Sequence, residues 1–381
     1  KGMSSSAVVF ELVVEEDRSP HPTGTRLVLG RQDEIARLRQ RLVDLKEGRP
    51  TITALVGAAG IGKSSVLKAV LQQAAELGIE VLYGSGTPLT VAAPYQAWRT
   101  VFQTLFGNRA EDPLATQRAR ILDFLADDPE VLALAPLLDA VAPVGIPEND
   151  ATRAMGERAR AIATRELAAR LIARKARRVP TLLVFDDGHW LDDTSMRLLV
   201  ELWFEGTGAS VLIATRPDEE GGPLLSQLAG LDTFERLSIE GLAAREANAL
   251  LATALGVERP SEELAAWIHR ATSGHPLFTT ELAKVLRERD IVRCDGDVAE
   301  FAIARRELDA LSLPSSVGAL VTDRLDRLGA VEQLAFKTAS AVGIDFSFSL
   351  LQAVYPHAGS RSELGPALDR LIRAGLIVEN R

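Results

Sequence analysis

Five short apolar runs rich in Val, Ile, Leu and Thr mark the chain between residues 25 and 240. They occupy residues 51–56, 80–84, 181–185, 210–215 and 233–239. Segments with helical spacing of apolar positions lie between several of these runs, including residues 64–77 and 194–204. Strands that alternate with helices are typical of an α/β domain with a largely parallel sheet.

The strand pattern nearly disappears after Leu242. Three amphipathic segments then follow one another and predict an all-α domain at residues 241–312. Beyond it, three helices and a final strand are predicted at residues 317–328, 331–341, 362–374 and 376–380. These elements predict a third, smaller domain at residues 313–381.

The first 24 residues differ in sequence pattern from the α/β segment that follows them. A short β-branched run at residues 8–14 predicts a strand, and the charged, Pro- and Gly-containing stretch at residues 15–25 predicts a linker. We expect residues 1–24 to be the end of a preceding domain plus this linker, with the α/β domain at residues 25–240. Because the sequence begins with Lys1 rather than methionine, we expect it to be a piece of a longer protein.

Composition narrows the class of protein. The 381 residues are 46% hydrophobic and 25% charged, which argues against a disordered chain or a collagen. A net charge of −9 gives no overall attraction to nucleic acid or to an anionic membrane, and no segment is apolar enough to span a bilayer. The single cysteine, Cys294, excludes an internal disulfide framework and a multi-cysteine zinc site. We expect a reducing, cytoplasmic compartment.

One motif carries most of the chemistry. The phosphate-loop pattern G-x-x-x-x-G-K-[ST] is matched by Gly57, Ala58, Ala59, Gly60, Ile61, Gly62, Lys63 and Ser64. In such a loop the backbone N–H groups cradle phosphate oxygens, while the lysine reaches the β- and γ-phosphates. Lys63 is therefore a predicted catalytic residue, Ser64 a Mg²⁺ ligand, and Ser65 a contact of the α-phosphate. The alternative is a Gly-rich turn that only joins a strand to a helix.

Charged residues follow two of the predicted strands. We expect Asp186 to hold Mg²⁺ through water or through Ser64, and Asp187 to orient and polarise the attacking water. The alternative is that one of the two aspartates only caps the next helix. Arg216 ends another strand and is predicted to sense the γ-phosphate, the alternative being a surface arginine ahead of a turn.

Two further signals favour structural roles. His189, beside the acidic pair, is interpreted as a structural or sensor residue. The basic segment at residues 153–178 is predicted to bury one apolar face and to leave its basic face in solvent rather than on nucleic acid. The predicted buried positions are Ile162, Leu167, Leu171 and Ile172.

The motif order resembles a known family. LVLGRQDEIARL, GAAGIGKSS, LLVFDDGHWLD, LIATRP and SGHPLFTTEL together resemble the STAND class of P-loop ATPases, above all those fused to class III nucleotide cyclases or to large LuxR-type regulators. The resemblance implies that Gly30 and Arg31 lie over the adenine and that Pro276, in a helical lid, contacts the nucleotide. It also implies a winged helix from Pro314 onward, and switching between a closed ADP form and an open ATP form.

The amino-terminal residues KGMSSSAVVFEL resemble the last strand of class III adenylate cyclase domains. This resemblance implies a cyclase domain before Lys1, although no cyclase metal or base residue can be located in the chain. The family often has Glu or Asp at the position of Asp187, and the shorter aspartate suggests slow hydrolysis. No arginine finger can be assigned.

These observations predict an α/β P-loop domain, an all-α lid and a winged helix that together bind ATP or ADP with Mg²⁺. We expect slow ATP hydrolysis that regulates a covalently linked effector domain, an adenylate cyclase, with nucleotide-dependent self-association. The open alternatives are a DNA-binding LuxR-type regulator core and a non-hydrolysing scaffold. The last predicted helix balances Arg370 and Arg373 with Glu363 and Asp369, which disfavours nucleic-acid binding within this chain.

Overall fold

The computed structural model describes residues 9–12, 29–86, 94–204, 206, 208–217, 224–231, 233–303, 328–343, 345–356, 361–373 and 376–380. The chain divides into two compact units. The first unit is Ser19–Glu240, and the second combines Lys1–Arg18 with Gly241–Arg381. Each unit is described by itself.

Helices and strands alternate through the first unit. Its described elements are α1 (Gln32–Lys46), β2 (Ile52–Val56), α2 (Lys63–Glu76), β3 (Glu80–Ser85), α3 (Gln96–Leu105), α4 (Leu114–Leu125), α5 (Pro129–Ala133), α6 (Asp150–Arg153), α7 (Glu157–Ala176), β4 (Thr181–Asp186), α8 (Asp193–Phe204), β5 (Ser210–Thr215), α9 (Leu224–Leu228) and β6 (Phe234–Ser238), with β1 (Val9–Leu12) preceding them in the chain. All five predicted apolar runs form strands. They build one parallel sheet in the order β3-β4-β5-β2-β6. The predicted α/β P-loop architecture of this unit is confirmed.

The central strands β2, β5 and β4 are buried on both faces, which explains why they are continuous apolar runs. Successive side chains of β4 point to opposite faces, so Leu183 joins the core beneath α3, α7 and α8, whereas Val184 joins the core beneath α1 and α2. From the helices, Trp98 of α3 packs in the first of these cores and Leu38 of α1 packs in the second. Because the strands are parallel, the loops after β2, β4 and β5 all leave the same edge of the sheet.

The basic segment forms α7, as its spacing predicts. Leu167, Leu171 and Ile172 are buried as expected, but Ile162 is 38% exposed and does not belong to the buried face. Carboxylates pair with much of the basic face through Arg160–Glu148, Arg165–Glu201, Arg170–Asp128, Arg174–Asp127 and Lys175–Glu80. The positive charge of α7 is therefore largely compensated within the unit. Among the described residues, no helix is both long and apolar enough to cross a bilayer.

The second unit begins with helices and a small sheet. Its elements here are α10 (Ala244–Leu255), β7 (Arg259–Pro260), α11 (Glu262–Thr272), α12 (Pro276–Glu288), β8 (Val292–Asp295) and β9 (Val298–Phe301). The prediction of an all-α segment is wrong at this point, because β8 and β9 pair as an antiparallel hairpin and β7 adds to it. The hairpin turns at Gly296, which has a φ of +58°. Its strands expose Arg293, Cys294 and Asp295, so they lack the apolar run that signals a buried strand.

The remaining described elements of the second unit form another small sheet with helices. They are α13 (Ala330–Val342), β10 (Asp345–Ser347), α14 (Phe348–Val354), α15 (Arg361–Arg373) and β11 (Ile377–Asn380). β1 pairs antiparallel with both β10 and β11. The assignment of residues 1–24 to the end of a preceding domain and a linker stays a prediction. The helix predicted at residues 317–328 lies almost wholly outside the described residues. The winged helix stays a prediction.

Candidate nucleotide site

The phosphate loop joins β2 to α2 at the carboxyl edge of the parallel sheet. Two of its glycines are required by the backbone. Gly62 is the N-cap of α2 with a φ of +104°, and a Cβ on Gly57 would lie 2.7 Å from Cγ2 of Ile61 and 3.1 Å from the carbonyl oxygen of Ile239. The Gly57 N–H donates to the Thr215 carbonyl at 3.1 Å, which ties the start of the loop to the end of β5.

The first turn of α2 is prepared for an anion. Its N-cap glycine supplies no side-chain acceptor, and no acidic residue lies in the turn. The N–H groups and the positive end of the helix dipole therefore favour phosphate oxygens. Lys63, which is 6% exposed, donates from Nζ to the carbonyls of Gly57 and Ala58 at 3.0 Å each. Ser64 is half-buried and Ser65 is exposed on the next positions of the same helix.

The acidic pair lies where β4 ends. Asp186 accepts the Asp187 N–H on Oδ1 at 2.9 Å and the Tyr83 hydroxyl on Oδ2 at 3.2 Å. Asp187 is buried and adopts a left-handed backbone with a φ of 51°. Burial, reinforced by the neighbouring Asp187 charge, raises the pKa of Asp186. A divalent cation would favour the ionised carboxylate, so these residues fit the predicted Mg²⁺.

His189 belongs to the same constellation. Its side chain is 2% exposed, and its Nδ1 lies 3.9 Å from Oδ1 of Asp187. Neither ring nitrogen has a hydrogen-bond partner among the described residues. Burial lowers the pKa of His189 to about 4, helped by the positive charges of Arg216 and Lys63 and opposed by Asp187. The imidazole is therefore neutral near pH 7, and these four side chains share one electrostatic environment.

Arg216 immediately follows β5, next to β4 in the sheet, and is half-buried. The structure thus brings the predicted Lys63, Asp186, Asp187 and Arg216 to one edge of the sheet. Among the described residues, no group of three or more His, Cys, Asp or Glu side chains could hold a metal ion. Mg²⁺ commonly uses one or two protein ligands together with substrate phosphates and water, so a serine and a carboxylate are a sufficient protein set.

Arg31 has a function in the fold that the sequence did not reveal. It is 4% exposed, and its guanidinium donates to the carbonyls of Ile61 at 2.9 Å and Glu240 at 2.7 Å. It also pairs with Glu34 at 3.1 Å. Arg31 therefore holds the phosphate loop to the end of the first unit. The contact of Gly30 and Arg31 with adenine stays a prediction.

Pro276 occupies the first turn of α12 in the second unit, behind a His275 N-cap whose Nδ1 accepts the Phe278 N–H at 3.3 Å. Gly274 has a φ of +71°, and a Cβ there would lie 2.1 Å from the Leu242 carbonyl oxygen. The backbone of this turn is closely constrained. The contact of Pro276 with a nucleotide stays a prediction.

Comparison with protein families identifies two segments. Residues 27–213 match the AAA ATPase domain. Residues 243–300 match a domain of unknown function, DUF8739. One curated relative, an uncharacterized protein of Rhizobium meliloti strain 1021, is 25% identical over 373 residues, covering 93% of this chain and 33% of the relative. The chain therefore spans about a third of that protein's length.

Solved structures that are similar to this chain include the following three. A STAND protein with a tetratricopeptide repeat sensor from Pyrococcus horikoshii has a TM-score of 0.43 at 17% identity, over 84% of this chain and 35% of that one. The Aeropyrum pernix ORC1 protein in complex with DNA has a TM-score of 0.44 at 15% identity, over 92% and 84%. A chain of the E. coli MS115-1 HORMA:CdnC:Trip13 complex has a TM-score of 0.37 at 13% identity, over 68% and 83%.

The family match covers the strands β2, β3 and β4, the phosphate loop and the acidic pair. The match ends at residue 213, just before Arg216. Residues 27–213 are therefore similar to AAA ATPase domains, which agrees with the predicted resemblance of the chain to STAND-class P-loop ATPases.

Proposed function

We propose that this chain is the nucleotide switch module of a larger protein. It binds ATP with Mg²⁺, hydrolyses it slowly to ADP and phosphate, and uses the change to regulate an attached effector domain. The observation that carries this proposal is the convergence of Lys63, Asp186, Asp187 and Arg216 at the edge of the sheet from which the phosphate loop leaves.

Binding is supported by the geometry of α2. Phosphate oxygens at its N-terminus accept the N–H groups of the loop, and Lys63 turns from the Gly57 and Ala58 carbonyls to the β- and γ-phosphates. Ser64 and Asp186 would hold Mg²⁺, which would neutralise negative charge on the phosphate oxygens. Arg216 reads the γ-phosphate from the end of β5.

Hydrolysis is assigned to Asp187. Its carboxylate orients a water and accepts its proton as the water oxygen attacks the γ-phosphorus; the bond to the β–γ bridging oxygen breaks, leaving ADP and phosphate. Asp187 sits in a left-handed turn beside a neutral His189, so its buried position is fixed by the backbone. An aspartate reaches one methylene less far than a glutamate, which supports slow turnover.

The switch follows from loss of the γ-phosphate. ADP lacks the γ-phosphate contacts with Lys63 and Arg216, so the balance between an ATP form and an ADP form shifts by the free energy of those contacts. The resemblance of residues 1–12 to the end of a cyclase domain supports an adenylate cyclase as the effector. The proposal has three further parts. The segment that contains Pro276 acts as a lid, the residues from Pro314 onward form a winged helix, and the chain self-associates in a nucleotide-dependent way.

Asp187→Asn tests the assignment of hydrolysis. Single-turnover experiments with radiolabelled ATP and Mg²⁺ should show phosphate release by the wild-type chain and a loss of at least 100-fold in the variant, with ATP still bound. Asp193→Asn, an exposed position at the start of α8, is the control and should retain the wild-type rate. Equal rates in wild type and Asp187→Asn would contradict the assignment. Bound ATP without any turnover by the wild-type chain would leave a non-hydrolysing scaffold.

A further inference from the structure

We propose that Tyr83 is a positioning residue whose hydroxyl holds the Asp186 carboxylate in the orientation that receives the divalent cation. This inference rests on the proposed function, because it concerns the same metal and nucleotide. Neither the phosphate-loop motif nor the acidic motif includes Tyr83, which lies on β3, the edge strand beside β4.

The hydroxyl completes a two-point anchor of the carboxylate. The Tyr83 hydroxyl donates to Oδ2 of Asp186 at 3.2 Å, while the Asp187 N–H donates to Oδ1 at 2.9 Å. Each oxygen is held by one donor and keeps further lone-pair capacity for a cation or its water. Rotation of the carboxylate about its last side-chain torsion is therefore restrained.

The strand that carries Tyr83 is fixed against the acidic turn. Ser85 lies opposite Asp186 in the parallel register, and the Gly86 N–H donates to the Asp186 carbonyl at 3.0 Å. A Cβ on Gly86 would lie 2.6 Å from the Asp187 carbonyl oxygen and 2.8 Å from Cβ of Trp190. This close approach restrains the end of β3 against the acidic turn, so the Tyr83 hydroxyl keeps its position relative to the Asp186 carboxylate.

The hydrogen bond acts on the cation through the carboxylate. A carboxylate that binds a metal is oriented by its own hydrogen-bond partners, and the Tyr83 hydroxyl is such a partner for Oδ2 of Asp186. Hydrogen bonds to metal ligands typically change metal affinity by about 10- to 100-fold when they are removed.

The chain offers a matched pair of tyrosines for the test. Tyr83→Phe removes the hydroxyl that contacts Asp186 and keeps the ring. Tyr95→Phe makes the same change in the same unit at a buried residue whose hydroxyl lies beside Arg165 rather than beside Asp186. Mn²⁺ binding to the full chain, saturated with a non-hydrolysable ATP analogue, is measured by electron paramagnetic resonance. The affinity for the analogue alone is measured in EDTA.

We expect Tyr83→Phe to raise the Kd for Mn²⁺ by about tenfold, and to change the metal-free affinity for the analogue by less than about twofold. Tyr95→Phe should leave both values at the wild-type level. In an Asp186→Asn background, Tyr83→Phe should have no further effect on Mn²⁺, because the hydroxyl acts through that carboxylate.

The outcomes separate this inference from the proposed function. If the wild-type chain binds neither the analogue nor Mn²⁺, the proposed function fails and the role of Tyr83 fails with it. If the wild-type chain binds both and Tyr83→Phe matches it, only the role of Tyr83 is overturned. Two other results would also overturn the role of Tyr83. One is a loss of analogue affinity in EDTA as large as the loss of Mn²⁺ affinity, and the other is an undiminished effect of Tyr83→Phe in the Asp186→Asn background. Either result would be explained by a general packing role of the side chain.

Discussion

Two buried cations at the candidate site, Arg31 and Lys63, donate hydrogen bonds to backbone carbonyls nearby. Arg31 is compensated by two carbonyls and Glu34, and Lys63 donates to two carbonyls of the phosphate loop. Burial of a charge costs free energy unless hydrogen bonds or opposite charges offset it. Arg31 is held in the fold by two carbonyls and a carboxylate, whereas phosphate oxygens can replace the two loop carbonyls that accept hydrogen bonds from Lys63.

Arg31→Ala should lower the free energy of unfolding of the first unit by about 3 kcal/mol. The reason is that the carbonyls of Ile61 and Glu240 and the Glu34 carboxylate lose a shared donor inside the protein. Chemical denaturation checks this, with the exposed Arg37→Ala on the same helix as a control expected within about 0.5 kcal/mol of wild type. Equal stabilities of the two variants would show that Arg31 does not hold the loop.

His189 predicts a pH dependence of stability. Its pKa is about 4 in the folded chain against 6.5 as the ordinary value, so between these values the unfolded chain binds a proton that the folded chain does not. The free energy of unfolding therefore falls as the pH falls, by about 2 kcal/mol between pH 7.5 and pH 5 from this residue. Urea unfolding in EDTA measures it. His189→Leu should reduce the loss by that amount, and an unchanged pH dependence would contradict the buried neutral imidazole.

The sequence could predict the residues that carry the site because their motif is local. Eight consecutive positions from Gly57 to Ser64 specify the loop, and Asp186 follows its strand directly. The partners of Arg31 lie 30 and 209 positions away, and Tyr83 is 103 positions from Asp186. No local pattern encodes such contacts, because they depend on the order of strands in the sheet.

At the scale of elements, strand order determines which side chains meet. The order β3-β4-β5-β2-β6 sets the phosphate loop after β2 beside the end of β5, and it sets β3 against the acidic turn after β4. Gly86, just beyond β3, makes the closest approach to that turn. The end of β3 thus contributes to the geometry of residues on which hydrolysis is proposed to depend.

Gly86→Ala should therefore displace the acidic turn. Its Cβ would meet the Asp187 carbonyl oxygen at 2.6 Å, so we expect a loss of about 1–3 kcal/mol in stability and a fall of more than tenfold in ATP turnover. Nucleotide affinity should change less, because the phosphate loop lies on another strand. Gly156→Ala, where nothing lies within 4 Å of the added atom, is the control for both measurements. Normal turnover in Gly86→Ala would contradict this account of β3.

Burial explains which elements the sequence could predict. β2, β4 and β5 are buried on both faces and appear as unbroken apolar runs. The β8–β9 hairpin has exposed polar positions and was missed for that reason. β1 was recognised as a strand, but its pairing with β10 and β11 joins residues more than 300 positions apart, and no periodicity specifies that partner.

At the scale of the whole molecule, the chain spans about a third of the length of its Rhizobium relative, and residues 27–213 match the AAA ATPase domain. A module of this kind can regulate an attached domain only through a difference in free energy between its nucleotide states. Occupancy of the phosphate loop by a nucleotide is therefore the central claim, on which the hydrolysis, the metal ligand and the switch all depend.

The most direct test is to denature the purified chain and identify the nucleotide that it releases by chromatography. We predict about one ADP or ATP per wild-type chain, none from Lys63→Ala, and a wild-type amount from Lys68→Ala on the same helix. A wild-type chain that releases no nucleotide, and that also fails to bind added ATP with Mg²⁺, would contradict the account.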